Sequence, residues 1–411
     1  MVEPKIKIQD YTYNLPETRI AKYPLEKRDD SKLLIVGDDK ISESKFVNLA
    51  GLLPPSSLMV FNNTKVVPAR LLFKKETGAI IEIFCLEPVE PNDYVMSFAS
   101  RESCCWNVVI GNAKKWKDSD VFFLCDENHK GAFSLNLRAE LVSKGDNNGS
   151  VVMFKWDTGV TFSEVLDICG RIPIPPYLKR ETEELDTERY QTLYAKIKGS
   201  VAAPTAGLHF TDSVLSEIDR INIKRDTICL HVGAGTFIPV KSEYIADHKM
   251  HTELFEVTKS FLEDLKDLKD GEKVIAVGTT SIRTLESLYF IGVQCIENGV
   301  PHTVKQWEPY GREYNYTLKE SVSAIICYMD KNNMTKLIAK TAIIIVPSYK
   351  FRVADILITN FHQPQSTLLL LIAAFIGEQW RTVYEYALGH DFRFLSYGDS
   401  SLLFRKQFHG K

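Results

Sequence analysis

What the 411-residue chain lacks narrows its class quickly. Its eight cysteines form no C-x-x-C pair and stand in no Cys/His cluster with zinc spacing, which removes the common structural zinc domains. Cys85 and Cys229 sit inside apolar, strand-like runs. Buried free thiols and a reducing cytoplasm are the expectation. Long apolar runs are missing too. The most apolar stretch, 368–376, falls far short of the ~20 residues that span a bilayer and reads as a buried helix. The first residues carry no apolar signal core, so neither a membrane partner nor an export signal is expected. No G-x-x-x-x-G-K-[ST] phosphate loop is present, which argues against an ATPase. Charge of one sign is also missing: 50 basic against 53 acidic residues leave a net charge of −3. That argues against a generic polyanion binder but does not exclude a local basic face.

What is there is an ordinary globular composition, 45% hydrophobic and 25% charged, with length for two domains. Residues 67–156 carry short β-rich runs at 79–86, 94–98, 106–110, 121–124, 132–137 and 151–156, separated by glycine turns. That spacing predicts a small all-β barrel or sandwich, inserted between 1–66 and 157–411. The flanking parts alternate. Strands are expected at 32–36, 58–61, 227–232, 273–277, 342–346 and 355–359. Helices are expected at 163–169, 187–195, 212–220, 259–268, 281–290 and 367–376. The predicted fold is an α/β main domain with a largely parallel or mixed sheet, plus a smaller inserted barrel-like domain. No element is assigned over 291–335.

The most informative segment is Gly-Ser-Val-Ala-Ala-Pro-Thr-Ala-Gly-Leu-His-Phe-Thr over 199–211. Ten of its thirteen positions are Gly, Ala, Ser, Thr, Pro or Val, so little of it fills a core. Pro204 and the glycines forbid a regular helix. It reads as a loop that lets a ligand approach the backbone, with Thr205, Gly207 and the terminal His209 as contacts. Three further loops follow predicted strands, where open α/β sheets bind ligands. One runs from His231 through Gly233 and Gly235. Its two glycines lack the third glycine and distal acid of a dinucleotide fingerprint, so no nicotinamide cofactor is expected. The second, Gly278-Thr279-Thr280-Ser281-Ile-Arg283, opens a helix. It is either a cradle for a polar ligand or an ordinary cap. The third carries Asn360 and His362. Each histidine alone reads as structural; three in small-residue loops suggest a shared site. His248, His251 and Glu253 fall short of a metal site, and no metal is expected.

Together the loops resemble one family, the S-adenosylmethionine:tRNA ribosyltransferase-isomerases of queuosine biosynthesis. The matching segments begin with Tyr23-Pro-Leu-Glu-Lys-Arg28, Val60 to Lys65, Pro68-Ala-Arg70, Ile172 to Tyr177 and Arg189-Tyr-Gln191. They continue with the 199–211 run, Leu230 to Phe237, Val274 to Glu286, Leu357 to His362 and Ser396-Tyr-Gly-Asp399. The resemblance implies an α/β domain carrying an inserted β-barrel. It implies transfer and isomerisation of the ribosyl group of S-adenosylmethionine onto 7-aminomethyl-7-deazaguanine at the tRNA wobble position. The product is epoxyqueuosine, with adenine and methionine released. S-adenosylmethionine is then a substrate, no further cofactor is needed, and the tRNA anticodon stem-loop is the partner. Such chemistry needs a base for the C5′ proton beside the sulfonium, and His209 or His231 is the candidate. Thr279, Thr280, Ser281 and Arg283 become ligand contacts, with Asn360 and His362 as supporting polar groups. The chain departs from the family at Ile238, where arginine is usual, and at Gln363 and Gln365, where leucine and lysine are usual. Two cations are thus missing. A divergent S-adenosylmethionine-dependent enzyme with another substrate, or an inert tRNA- or nucleotide-binding paralogue, is the alternative.

Overall fold

The computed structural model describes residues 4–37, 40–111, 113–116, 120–123, 135–145, 149–233, 240 and 242–406. In chain order the strands before the barrel are β1 (Lys32–Val36), β2 (Ile41–Lys45), β3 (Leu58–Asn62) and β4 (Thr64–Val66). The barrel strands are β5 (Arg70–Lys74), β6 (Ile80–Glu90), β7 (Ser103–Gly111), β8 (Val121–Phe123), β9 (Arg138–Ser143) and β10 (Ser150–Lys155). After them come β11 (Ile197–Ser200), β12 (Lys224–Leu230), β13 (Glu253–Thr258), β14 (Val274–Val277), β15 (Lys336–Thr341), β16 (Ile356–Asn360) and β17 (Ser400–Phe404). The helices are α1 (Tyr94–Ala99), α2 (Phe162–Cys169), α3 (Glu184–Arg189), α4 (Asp212–Arg220), α5 (Lys259–Lys266), α6 (Thr279–Asn298), α7 (Leu318–Lys331), α8 (Thr367–Ile376) and α9 (Trp380–Gly389).

Nine strands form one mixed sheet in the order β15-β13-β12-β3-β14-β16-β17-β1-β2. Its centre, β12-β3-β14-β16, is parallel. Every residue of β3 and β14 is buried, as befits parallel strands covered on both faces. Toward the edge, β15 alternates exposed and buried residues along its length, the pattern of a strand with one wet face. Strands β5 to β10 close into an antiparallel barrel. Its core holds Phe73, Trp106, Val152 and Phe154 and takes in Phe162 and Leu166 of α2. The expected α/β domain with an inserted barrel is the fold observed.

Four expected elements differ. The helix expected at 187–195 is α3, which starts earlier, at Glu184, and ends at Arg189 with Tyr190 as its C-cap. The 94–98 run is helix α1, not strand. Asp93 accepts the Met96 amide as a side-chain cap, and that local bond turns the chain before a strand can pair. The 342–346 run is buried but lies outside the sheet. Its amides bond to Val304, Gln306 and the Tyr310 hydroxyl, and the sheet strand is the preceding β15. The expected strand at 132–137 falls partly outside the described residues, and the barrel strand there is β9. Residues 291–335, left without an element, hold the end of α6 and all of α7.

Helix α6 is buried from Ser281 to Cys295, so the apolar face formed by Ile282, Leu285 and Leu288 covers only part of its contact surface. A Cβ on Gly292 would lie 2.0 Å from Ser321 Oγ and 2.3 Å from the Ser321 carbonyl of α7. Backbone cannot give way by that much. Gly292→Ala is expected to cost about 1–3 kcal/mol, read as a lower urea midpoint with an unchanged slope. A midpoint equal to the wild type would contradict this packing.

Candidate functional site

The parallel strands bring their carboxyl ends to one rim, and a cleft opens there. The 202–206 segment, Gly278, Thr279 and Thr280 at the start of α6, Asn360 at the end of β16 and His362 just after it, and Tyr177 and Ser396 line it. Its empty volume, open mouth included, is about 740 Å³. Among the described residues no carboxylate, lysine or arginine lines it.

The start of α6 is built for a polar ligand. Gly278 is the N-cap, at φ 87°, and no side chain caps the helix. Its first N–H groups are therefore free to bind a ligand. Among the described residues Thr280 Oγ1 is buried without a hydrogen-bond partner, an arrangement that a bound ligand would satisfy. Thr279 and Thr280 thus line the cleft, whereas Ser281 and Arg283 do not. Ser281 Oγ donates to the Val277 carbonyl at 2.7 Å. Arg283 forms a buried ion pair with Glu253, and its Nε and Nη2 have no partner. Burial pushes the Glu253 carboxyl up; Arg283 and then His251 outweigh it and hold the group below its ordinary range.

His209 stands behind the cleft wall. Asn360 Nδ2 donates to His209 Nε2 at 3.1 Å, and His209 Nδ1 lies 2.9 Å from Ser31 Oγ. Because Nε2 accepts, Nδ1 carries the proton and gives it to Ser31. Asn360 Oδ1 in turn accepts from Thr205 Oγ1 at 2.9 Å. A continuous chain Ser31–His209–Asn360–Thr205 results, with only its last two members on the cleft. Burial lowers the His209 pKa to about 4. His362 lines the cleft, bonds Thr359 Oγ1 at 3.0 Å, and is lowered by burial to about 3. Gly207 sits away from the cleft. A Cβ there would lie 1.8 Å from the Tyr194 hydroxyl, so the position is one of close packing.

His231 faces a second cavity, between the barrel and the sheet. Gly233, Glu87, Asp93, His251, Glu253 and Lys340 share that cavity. The ring stacks on Tyr94 of α1 with centroids 4.8 Å apart at 12°. Nδ1 donates to the Gly199 carbonyl at 3.1 Å, and among the described residues Nε2 meets only Cys229 Sγ, at 3.6 Å. A Cβ at Gly199 (φ 150°) would lie 2.1 Å from His231 Nδ1, so glycine is what admits the ring. Burial lowers the His231 pKa. Gly235 and Ile238 lie outside the described residues. Val232 lines the cleft while its neighbours His231 and Gly233 line the second cavity, so one segment separates the two spaces. Glu87, Asp93 and Tyr94 were missing from the sequence reading. They stand on the barrel, and nothing in their local sequence announces a partner more than a hundred residues away.

An α/β domain with a strand-end cleft, roofed beside it by an inserted barrel, defines the class of this protein. The model of the family described as queuosine biosynthesis protein matches residues 8–403, and the chain belongs to that family. A relative from Legionella pneumophila (strain Paris), named S-adenosylmethionine:tRNA ribosyltransferase-isomerase, is 39% identical over 399 residues, 96% of this chain and 99% of the relative. A relative of the same name from Sulfurihydrogenibium sp. is 36% identical over 403 residues, 97% and 100% of the two chains. A crystal structure of an S-adenosylmethionine tRNA ribosyltransferase from Thermotoga maritima is similar at 24% identity. It covers 96% of this chain and 99% of its own, with a TM-score of 0.45.

The buried imidazoles set a pH dependence. Unfolded, His209 and His362 take up protons near 6.5; folded, they resist until about 4 and about 3. Below pH 6.5 the unfolded state therefore binds more protons, and stability falls as pH drops toward 4. The urea midpoint is expected to decline over that window, and His362→Gln to decline less steeply. An equal slope in the variant would refute the neutral, buried assignment of His362.

Proposed function

We propose that this chain transfers and isomerises the ribosyl group of S-adenosylmethionine onto 7-aminomethyl-7-deazaguanine at the wobble position of tRNA. Epoxyqueuosine is the product, adenine and methionine leave, and the reaction belongs to the cytoplasm. The observation that carries this reading is kinship along nearly the whole chain to relatives of that name, joined to an uncharged strand-end cleft lined by Thr280 and Asn360.

The two spaces divide the chemistry. The uncharged cleft suits a purine, with the free N–H groups of α6, Thr280 Oγ1 and Asn360 as donors and acceptors around its edge. Departing adenine gains electron density at its ring nitrogens, and donors fixed beforehand stabilise that change. The second cavity suits the cationic end of S-adenosylmethionine, because Glu87, Asp93 and Glu253 line it. The acidified C5′ proton lies beside the sulfonium, and His231 is the base. Its Nδ1–H is held by the Gly199 carbonyl, which leaves the Nε2 lone pair to accept that proton. His209 acts through Asn360 as a positioning residue. The tRNA base must leave its stack to react.

Incubation with S-adenosylmethionine and tRNA carrying 7-aminomethyl-7-deazaguanine is expected to release adenine and form a modified nucleoside together. Adenine release without a modified nucleoside would point to another acceptor. Neither product, with tRNA still bound, would point to an inert binder. His231→Gln is expected to lower turnover about 10²–10⁴-fold while substrate still binds. Asn360→Ala is expected to lower kcat/KM about ten- to a hundredfold, or roughly 1.4–2.7 kcal/mol. Wild-type turnover in His231→Gln would remove that residue as the base.

A further inference from the structure

A third, smaller pocket lies on the far side of His209 from the cleft. Arg28, Arg189, Arg393, Ser31 and His209 line this shallow pocket, whose empty volume, open mouth included, is about 280 Å³. Its cations are unusual in what holds them. Arg28 donates from Nη1 to the Gln191 carbonyl at 2.7 Å and from Nη2 to the Glu188 carbonyl at 3.1 Å. Arg189 donates to the Leu25 and Glu26 carbonyls, and its Nε is buried with no partner. Among the described residues neither guanidinium is paired with a carboxylate. Glu188 attracts Arg28 from a distance, but Arg189 repels it. Only Arg393 is neutralised, by Asp399 at 3.0 Å.

Main-chain carbonyls aim the two guanidiniums, and among the described residues no carboxylate is bonded to either. Holding like charges together in a partly buried pocket is unfavourable unless an anion joins them. The floor supplies a further donor. Since His209 gives its Nδ1 proton to Ser31 Oγ, the Ser31 hydroxyl proton is free to point into the pocket. A guanidinium pair, an unpartnered Nε–H and a hydroxyl form a donor set suited to a tetrahedral oxyanion.

We propose that this pocket binds a phosphate oxyanion, and that in the working enzyme the oxyanion is a backbone phosphodiester of the RNA substrate. The choice of RNA rests on the function proposed above; the oxyanion chemistry does not. A phosphate held there touches the Ser31 end of the chain that runs through His209 to Asn360 and Thr205. Docking of the RNA backbone is thereby linked to the cleft wall by three hydrogen bonds. The pocket also places positive charge on a chain whose net charge is −3.

The test uses the full-length protein, with tRNA and inorganic phosphate as separate probes. Each phosphate contact contributes about 0.7–0.9 to the slope of log affinity against log salt. Arg189→Gln is expected to reduce the slope for tRNA binding by about that much and to abolish the rise in melting temperature caused by inorganic phosphate. Arg28→Lys keeps the charge but not the fork, and is expected to retain the slope while weakening binding several-fold. This control separates lost charge from lost fold. An unchanged slope in Arg189→Gln, with phosphate stabilising wild type and variant equally, overturns the proposal. Phosphate stabilisation lost in the variant without a change in the tRNA slope overturns the RNA assignment and leaves a free oxyanion as the ligand. Absence of adenine release from the wild type, with Arg189-dependent phosphate binding intact, would sink the proposed reaction and leave the oxyanion site standing.

Discussion

Parallel strands that end together create one demand which the rest of this molecule answers. Their last main-chain groups are buried at the rim and need partners where the ladder stops. Two asparagines meet that demand. Asn62, at the end of β3, acts as an extra peptide unit: Oδ1 accepts the Leu230 amide at 3.0 Å and Nδ2 donates to the Leu230 carbonyl at 3.1 Å. Asn360, at the end of β16, binds His209 and Thr205 instead. The first closes the sheet; the second turns the same solution outward and makes a wall. Ser200 completes the rim, with its Oγ 3.0 Å from Thr64 Oγ1 and accepting the Val232 amide at 3.0 Å. Small residues over 199–211 are needed because these side chains, and not the backbone alone, fill the rim.

That constraint explains why the histidines cannot all play one part. A buried imidazole in a polar wall is worth most when neutral and doubly bonded, which describes His209. His231 has one nitrogen committed and one almost free, under the stacked ring of Tyr94. The difference lies in neighbours that are far away in sequence, so spacing along the chain could not rank the two.

Composition and periodicity carried the architecture well. Buried strands such as β3 and β14 read as continuous apolar runs, and the barrel announced itself through short runs and glycine turns. The failures have local causes. At 94–98 a single cap by Asp93 overrode an alternating pattern. At 342–346 a fully apolar run satisfied its amides through a loop rather than a sheet. For the candidate site, the sequence singled out loops that line the cleft but not which way their side chains face. Ser281 and Arg283 lie one to three residues from cleft-lining threonines, yet the turn of α6 carries them under the sheet. There Arg283 meets Glu253, a contact between residues thirty positions apart. Arg28 and Arg189 sat in matched segments, but their juxtaposition exists only after folding.

The distribution of charge then follows from burial. A cleft floored by strand ends and a helix buried over most of its length has no room for a solvated carboxylate, so its chemistry must be that of dipoles and hydroxyls. Charged groups are kept where a second structural unit covers or opens the surface. Acids gather where the barrel meets the sheet, and arginines where α3 and the 23–28 segment meet the 393–398 turn. A molecule combining a sulfonium, a purine and a polyanionic partner matches such a partition, with each part meeting its complementary environment. The missing cations at Ile238 and Gln365 weaken this scheme less than they first suggest. Arg28 and Arg189 hold positive charge close to the cleft wall, and among the described residues no carboxylate is bonded to it.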